Sequence, residues 1–451
     1  MKPFAGRIGA SRADITPPVG IYARNWGAAA HDVAEGIHRP LTLNVLTLQE
    51  GEDAPPFVLV SADLGWWRTR ADETFVRGTI LEELALDPAR LMICLTHTHA
   101  GPSLCREDAE KPGGYLIADY LDSLIVAVVN CTRHALETAE PALLEWAVGA
   151  CGLATNRDLP DPDGGRYING WNAEAPADQT LTVGRVTTQD GRILATIVHY
   201  ACHPTTLAWD NRLISPDYIG AMREIVERDT GSAPCLFLLG ACGELAPAEQ
   251  YTGDTAVADR HGRQLGYAAL ATLEGMLPPG THLTYRGVVE SGAPLAVWQP
   301  EPQEPAASLD AIQVEVEMPL QALPSLAELD ALLEQTEDRA MAERLRRKRR
   351  IRQSVGEGDA TSVPLWAWRI GDAFLVGCPN EAYSRMQTEL RERFAGHIAL
   401  AINVVNGHFG YLPPAELYTQ NIYQVWQTPF AAGCLERTTS AAVDVLRNWS
   451  D

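Results

Sequence analysis

Hydrophobic and polar positions along the chain switch repeatedly between a strand-like and a helix-like period, and the switches delimit three strand–helix–strand units. In the first, Pro56–Ala62 reads as a buried strand, Thr74–Leu86 as an amphipathic helix and Arg90–Thr96 as a second apolar strand. In the second, Thr180–Thr187 and Arg192–Ala201 predict a hairpin around the turn dipeptide Asp190-Gly191. A helix near Asp217–Arg228 and a strand at Pro234–Leu239 follow it. In the third, Ala373–Gly377 leads to a helix near Ala382–Phe394 and a strand at Ile398–Val405. Longer helices are predicted at Ile117–Thr138, Asp259–Met276 and Cys434–Asn448. The pattern predicts a layered α/β fold, with mixed sheets flanked by helices.

Between the second and third units the pattern weakens. Val297–Ala307 is rich in Pro and Glu and reads as an exposed connection. A strand near Ile312–Met318 and a charged helical stretch, Ala327–Gln353, come next. That stretch contains RLRRKRRIR, read as a solvated helix face in preference to an anion-binding surface. The region around 297–355 is expected to be an embellishment, and no fixed-period repeat is visible.

The strand ends carry the candidate chemistry. Leu91–Pro102 (LMICLTHTHAGP) places His97 and His99 on one face where an apolar strand stops. Neutral imidazoles suit Zn²⁺, and such a pair supplies two ligands, or a ligand and a proton shuttle. Two hydrogen-bonded residues capping a strand would look the same. The other predicted strands end similarly. One runs into Cys202-His203-Pro204 and another into Cys378-Pro379-Asn380-Glu381; a third reaches Asn406-Gly407-His408 and Tyr411, and a fourth Cys242-Gly243-Glu244. Ligands of open α/β sheets gather outside the carboxyl ends of strands, so these exits predict one shared cleft with His97 and His203 on one metal.

Competing chemistries lack their signatures. There is no GxSxG elbow, no GxxxxGK[ST] loop and no GxGxxG. Cys242 in its Gly-flanked turn reads as a close backbone passage before it reads as a nucleophile. A TIM-barrel metal hydrolase would need eight strand–helix units, which the pattern does not supply. Trp26, Trp66, Trp67, Trp171, Trp209 and Trp426 fall near these motifs, either lining a pocket or half-buried in the core.

Composition narrows the partners. With 36 basic and 58 acidic residues the net charge is −22, which repels nucleic acid and anionic membranes. The nine Cys form no CxxC pair, the N-terminus lacks a signal-peptide pattern and no long apolar run suggests a membrane span. A cytoplasmic enzyme with a small-molecule substrate and no stable membrane association is expected, and a homo-oligomer is compatible with the sequence.

These motifs, in order, resemble the neutral ceramidases and their bacterial relatives. Arg7 to Pro17 is similar to the family's G-x-x-x-A-D-I-T opening, followed by Val60–Asp63 and THTHAGP. Asn156-Arg157 resembles N-R-S-P, His203–Thr206 resembles H-[PS]-T-[ST], and Gly243-Glu244 resembles a G-D turn. Pro379–Glu381 and the segment from Asn406 to Tyr423 complete the series. The resemblance implies one Zn²⁺ per chain held by His97, His203, Glu381 and Tyr411. It implies catalytic roles for Arg157 and Tyr423, placed to stabilise an oxyanion, and His99 is the candidate proton carrier. Glu244 and His408 are expected to contact substrate.

Departures accompany the matches. Ala246 stands where the family has serine after its G-D turn, Asp158-Leu159-Pro160 follows Arg157, and His408 replaces the family's first tyrosine. The family's C-terminal immunoglobulin-like domain and its secretion signal are not expected here. The expectation is a zinc-dependent hydrolase of a small amide or N-acyl compound other than ceramide, with esterase or lactonase activity, or a non-catalytic binding role, as the alternatives. Because the implied ligands span His97 to Tyr411, one domain over residues 1–451 is expected.

Overall fold

The computed structural model describes residues 1–450; Asp451, the end of the expected domain, lies outside the described residues. Eight strands form the larger sheet: β1 (Phe4–Asp14), β2 (Thr42–Gln49), β3 (Phe57–Ala62), β4 (Leu91–Leu95), β5 (Glu140–Ala150), β6 (Thr180–Thr188), β7 (Ile193–Tyr200) and β8 (Cys235–Leu239). Their spatial order is β8-β7-β6-β5-β1-β2-β3-β4, parallel only at the outer pairs β8/β7 and β3/β4. A hairpin, β9 (Thr281–Glu290) and β10 (Pro294–Pro302), follows. The second sheet has β11 (Leu309–Pro319), β12 (Ala360–Ile370), β13 (Ala373–Gly377) and β14 (Ile398–Ile402), in that order, with β13 and β14 parallel.

The helices are α1 (Arg70–Leu84), α2 (Ile117–Glu137), α3 (Tyr218–Asp229), α4 (Thr255–Glu274), α5 (Leu326–Glu334), α6 (Arg339–Val355), α7 (Arg385–Arg393), α8 (Tyr423–Gln427) and α9 (Cys434–Ser450). Strand alternation sorts the core into layers. Val58, Val60, Leu91 and Ile93 face α1 and α2, whereas Leu59, Met92, Leu236 and Leu238 face Trp366, Trp368, Leu375 and Leu400 of the second sheet. The opposite face of that sheet, with Phe374 and Val376, packs on α7 and α9. The result is helix, sheet, sheet, helix. The layered α/β expectation holds, and the three strand–helix–strand units stand where the periodicity predicts them.

Helix α1 begins at Arg70, four residues before its apolar stripe, because the Thr69 hydroxyl accepts from the Asp72 backbone N–H at 3.1 Å. The charged stretch is two helices, not one; Asp338 caps α6 by accepting from the Met341 N–H. Part of the Pro-rich connection is strand β10. Proline is tolerated there because both hairpin strands lie at an edge. Helix 114–137 is long and apolar enough to cross a membrane by length and composition, but here its buried face, including Leu121, Leu124 and Val128, packs on the larger sheet. All nine cysteines are buried and unpaired.

The larger sheet curls until its two edges approach. Ser61 Oγ on β3 donates to the Phe237 carbonyl of β8 at 2.7 Å and accepts from the Phe237 N–H. The segment leaving β14 then bridges both edges: the Asn403 N–H donates to the Leu239 carbonyl and the Asn406 N–H to the Ile93 carbonyl. Asp63, just past β3, and Arg223 on α3 form a buried two-pronged pair at 2.7 and 2.9 Å across the same junction. The ends of all three units are thereby drawn to one centre.

Candidate active site

Each unit delivers one ligand-type side chain to that centre. His97 follows β4, His203 follows β7 and Glu381 follows β13; all three are buried. His97 adopts a positive φ of 68°, unusual for a residue with a side chain, and its N–H donates to the Leu64 carbonyl at 2.8 Å. Val404 (φ 55°) and Asn406 (φ 51°) share this left-handed conformation. Glu381 and Tyr411 are held opposite one another by a two-residue parallel ladder, 381–382 against 411–412.

Second contacts orient the first. His97 Nδ1 lies 3.1 Å from the Gly65 carbonyl, and His203 Nδ1 lies 2.7 Å from that of Cys242. A carbonyl only accepts, so each Nδ1 carries the proton and each Nε2 offers its lone pair. Both Nε2 atoms converge on Glu381 Oε2, at 3.4 Å for His97 and 2.8 Å for His203. The other carboxylate oxygen of Glu381 meets His408 Nε2 at 2.9 Å. His97 Nε2 is buried with no hydrogen-bond partner, and one ligand atom from each of the three residues lies within 4.8 Å of the others. An orphaned imidazole nitrogen beside a second imidazole and a carboxylate fits a metal ion; the donor set suits Zn²⁺.

Burial and charge tune these groups consistently. Burial, reinforced by Arg157, pushes the His203 imidazole down to about 4, which keeps it neutral. The Tyr411 phenol is pushed well up by burial and by Glu381. Arg157 Nη2 lies 3.2 Å from the Tyr411 hydroxyl and 2.7 Å from the Gly243 carbonyl. Its backbone N–H also donates to the Glu244 carbonyl, so Arg157 is fixed at both ends.

His99 and Tyr423 line the same cleft, which encloses about 660 Å³ including open solvent at its mouth. Neither ring nitrogen of His99 has a hydrogen-bond partner. The ring lies among Trp66 (4.9 Å between centroids), Trp26 (5.1 Å) and His97 (4.9 Å). Burial, then His97 and His203, lower its pKa well below the ordinary value. Tyr423 stands edge-on to Tyr411 at 5.7 Å.

Glu244 departs from expectation. Its carboxylate accepts from the Ser384 N–H at 3.0 Å and from the Ser384 hydroxyl, and it does not line the cleft. It serves the start of α7, where backbone N–H groups lack helical partners; its turn gives the site the carbonyls of Cys242 and Gly243 instead. Burial pushes the Glu244 carboxyl up to about 7. His408 does line the cleft, but its Nε2 is engaged by Glu381. The tryptophans divide: Trp26, Trp66 and Trp209 surround His99 and Tyr251, Trp426 packs on Tyr423, Trp67 is core and Trp171 is exposed.

The structure also brings in residues that sequence reasoning missed. Arg68, Arg347, Arg350 and Gln427 line the cleft. Helix α6, read as a solvated face, lies over the site: Arg347 Cζ is 5.5 Å from the Trp66 ring centroid and Arg350 Nη2 is 2.7 Å from Asp108 Oδ1. The basic run was the available signal for it. Its partners over the site, from Asp108 at 242 residues to Asn25 at 322 residues away, gave none.

No protein-family model matches the chain, and no curated protein is similar to it in sequence. Solved structures are similar in fold. The crystal structure of neutral ceramidase from Pseudomonas aeruginosa superposes with a TM-score of 0.67 at 18% identity, covering 98% of this chain and 74% of the other. A ceramidase complexed with C2 gives 0.66 at 17%, covering 99% and 76%. At these identities the likeness concerns architecture, and the chain has the fold of the neutral ceramidases.

Proposed function

We propose that this protein is a zinc-dependent hydrolase that cleaves the amide bond of a small or N-acyl substrate. The observation carrying this reading is the convergence of His97 Nε2, His203 Nε2 and Glu381 Oε2 in a buried cleft, with Tyr411 beside the carboxylate. The similarity in fold to a neutral ceramidase supports the amide as the bond cleaved. His97, His203, Glu381 and Tyr411 would hold one Zn²⁺ per chain. When bound, such an ion supplies a Lewis acid that polarises a carbonyl and lowers the pKa of a water molecule.

The chain's own residues supply the rest. The carbonyls of Gly65, Cys242 and Leu245 fix the two imidazoles in one tautomer, and His408 keeps Glu381 from turning. Arg157 directs a guanidinium N–H at the Tyr411 hydroxyl and brings positive charge to where an oxyanion develops. Tyr423, in the cleft wall, donates to that oxygen. One such donor contributes about 3 kcal/mol to the transition state. His99 has unpartnered nitrogens in the cleft and carries a proton to the leaving amine. The reading includes a cytoplasmic setting and a soluble substrate, in keeping with nine unpaired thiols and a charge of −22.

Metal analysis and a substrate screen test the proposal together. In a screen of N-acyl amino acids, cyclic amides, lactones and short ceramides, about one zinc per chain with hydrolysis of the N-acyl amino acids or cyclic amides is expected. His203→Ala should remove both. Hydrolysis confined to lactones and esters would reassign the bond, and a metal-free protein or full activity in His203→Ala would refute the reading.

A further inference from the structure

The catalytic reading leaves the basic run of α6 without a use. Among the described residues, five basic groups gather along this side of the cleft and the loop beneath it, Arg68, Lys111, Arg346, Arg347 and Arg350, facing only Asp108, Glu107 and Glu343. The cleft wall itself holds three arginines against one carboxylate, Glu381, which the two ligand histidines already claim. That is a local positive excess in a chain of net charge −22.

Two guanidinium nitrogens stand idle there. Arg350 is 7% exposed; its Nη2 meets Asp108 and its Nε approaches Glu107, but its Nη1 is buried with no partner. Arg347 gives its Nε to Glu343 at 3.4 Å and its Nη2 to the Asn25 carbonyl, and its Nη1 has no hydrogen bond among the described residues. Leaving the buried Arg350 Nη1 unpaired is unfavourable unless a ligand completes it, whereas Arg347 Nη1 is open to the cleft side. Trp66 spans the distance to the chemistry: its ring is 5.5 Å from Arg347 Cζ and 5.5 Å from the His97 ring. An acyl-bearing group at His97 and an anion at Arg347 would thus lie about one indole apart along one wall.

We propose that Arg347 and Arg350 form a carboxylate-binding subsite, and that the substrate is an N-acyl amino acid or a similar amide bearing a free carboxylate. This rests on the amide-hydrolase reading for its substrate class, but the anion site stands on its own geometry. Arg347 and Arg350, three residues apart on α6 and both lining the cleft, offer one donor to each oxygen of a carboxylate. Arg350 is also bound to Asp108, so Arg347 is the residue to vary.

The experiment compares N-acylglycines with the matching N-acylglycinamides, which lack only the charge, on zinc-loaded protein and its Arg347→Met and Arg347→Lys variants. The parent should favour the carboxylate by about 10- to 100-fold in kcat/KM, the range expected of a hydrogen bond to a charged group. Arg347→Met should lose the preference mainly through KM, and Arg347→Lys should recover part of it. Equal rates on acid and amide in the parent, or a preference unchanged in Arg347→Met, would overturn the proposal. Calorimetric titration with an N-acylglycine separates the two readings. Binding that Arg347→Met abolishes, without hydrolysis of either compound, supports the subsite while refuting the hydrolase; hydrolysis of both compounds at equal rates does the reverse.

Discussion

Asp108 is the group whose removal should be most damaging outside the metal-type centre. Its carboxylate is fully buried and accepts from Arg350 (2.7 Å), Lys111 (2.7 Å), Arg68 (3.1 Å) and the Ser103 hydroxyl (2.8 Å). It therefore fastens α6 to the loop below the cleft. Asp108→Asn keeps the shape and removes the charge, leaving the buried Arg68 without a counter-ion and the buried Arg350 with only Glu107 at 3.4 Å. Breaking a buried pair in this way costs about 3–5 kcal/mol. An unfolding entropy of roughly 2.1 cal/mol/K per residue amounts to about 0.9 kcal/mol/K for a chain of 451 residues. The melting temperature, followed by circular dichroism at pH 7, should fall by about 3–5 °C. Burial alone would raise the Asp108 carboxyl, but Arg68, Arg350 and Lys111 hold it well below the usual range. Its contribution is thus present above the unfolded carboxyl pKa and lost as pH falls through the folded one. The gap between variant and parent should stay constant from pH 5 to 8 and narrow below about pH 4. A shift under about 1 °C at pH 7, or a gap that widens in acid, would refute the ion cluster as the anchor of α6.

Other perturbations probe the site and the core separately. His408→Ala frees one oxygen of Glu381 and should weaken zinc binding about 10- to 100-fold in a competition titration with a chelator; unchanged affinity would show that the contact orients nothing. Glu244→Ala should lower stability by about 1–2 kcal/mol through the start of α7 while leaving KM unchanged, and a large rise in KM would return Glu244 to the substrate. Burial raises Glu73 to about 7, so its stabilising contribution is complete below the unfolded carboxyl pKa and is lost as pH rises through 7. Glu73→Gln should accordingly gain on the parent by about 2–3 kcal/mol between pH 5 and pH 8 in urea melts, and an equal difference at both pH values would contradict that.

The three strand–helix–strand units were legible because their parallel strands are covered on both faces and read as continuous apolar runs. Three of the ligand-type residues were legible for a related reason: a His or Glu two to four residues past the end of such a strand has left the core with it and stands at its carboxyl end. Strands β1 and β5 mix small, charged and apolar positions and gave no comparable signal. The role of α6 was hidden as well. Its arginines look solvated until Asp108 and Trp66, far away in sequence, are folded against them. Glu244 misled because its position in a polar turn does not reveal which neighbour its carboxylate meets.

The left-handed backbone of His97, Val404 and Asn406 bears on how this protein would respond to selection for heat tolerance. Such a conformation disfavours His97 and Val404 by about 1–2 kcal/mol, whereas Asn406 adopts it more readily. For Val404 the β-branch makes the conformation a true outlier. A search for thermostable variants that took up His97→Gly would gain this relief and discard a residue of the candidate metal site in doing so. Thermal tolerance and the candidate metal site are therefore opposed at His97, and a melting-temperature screen of this protein needs an activity counter-screen to keep that residue.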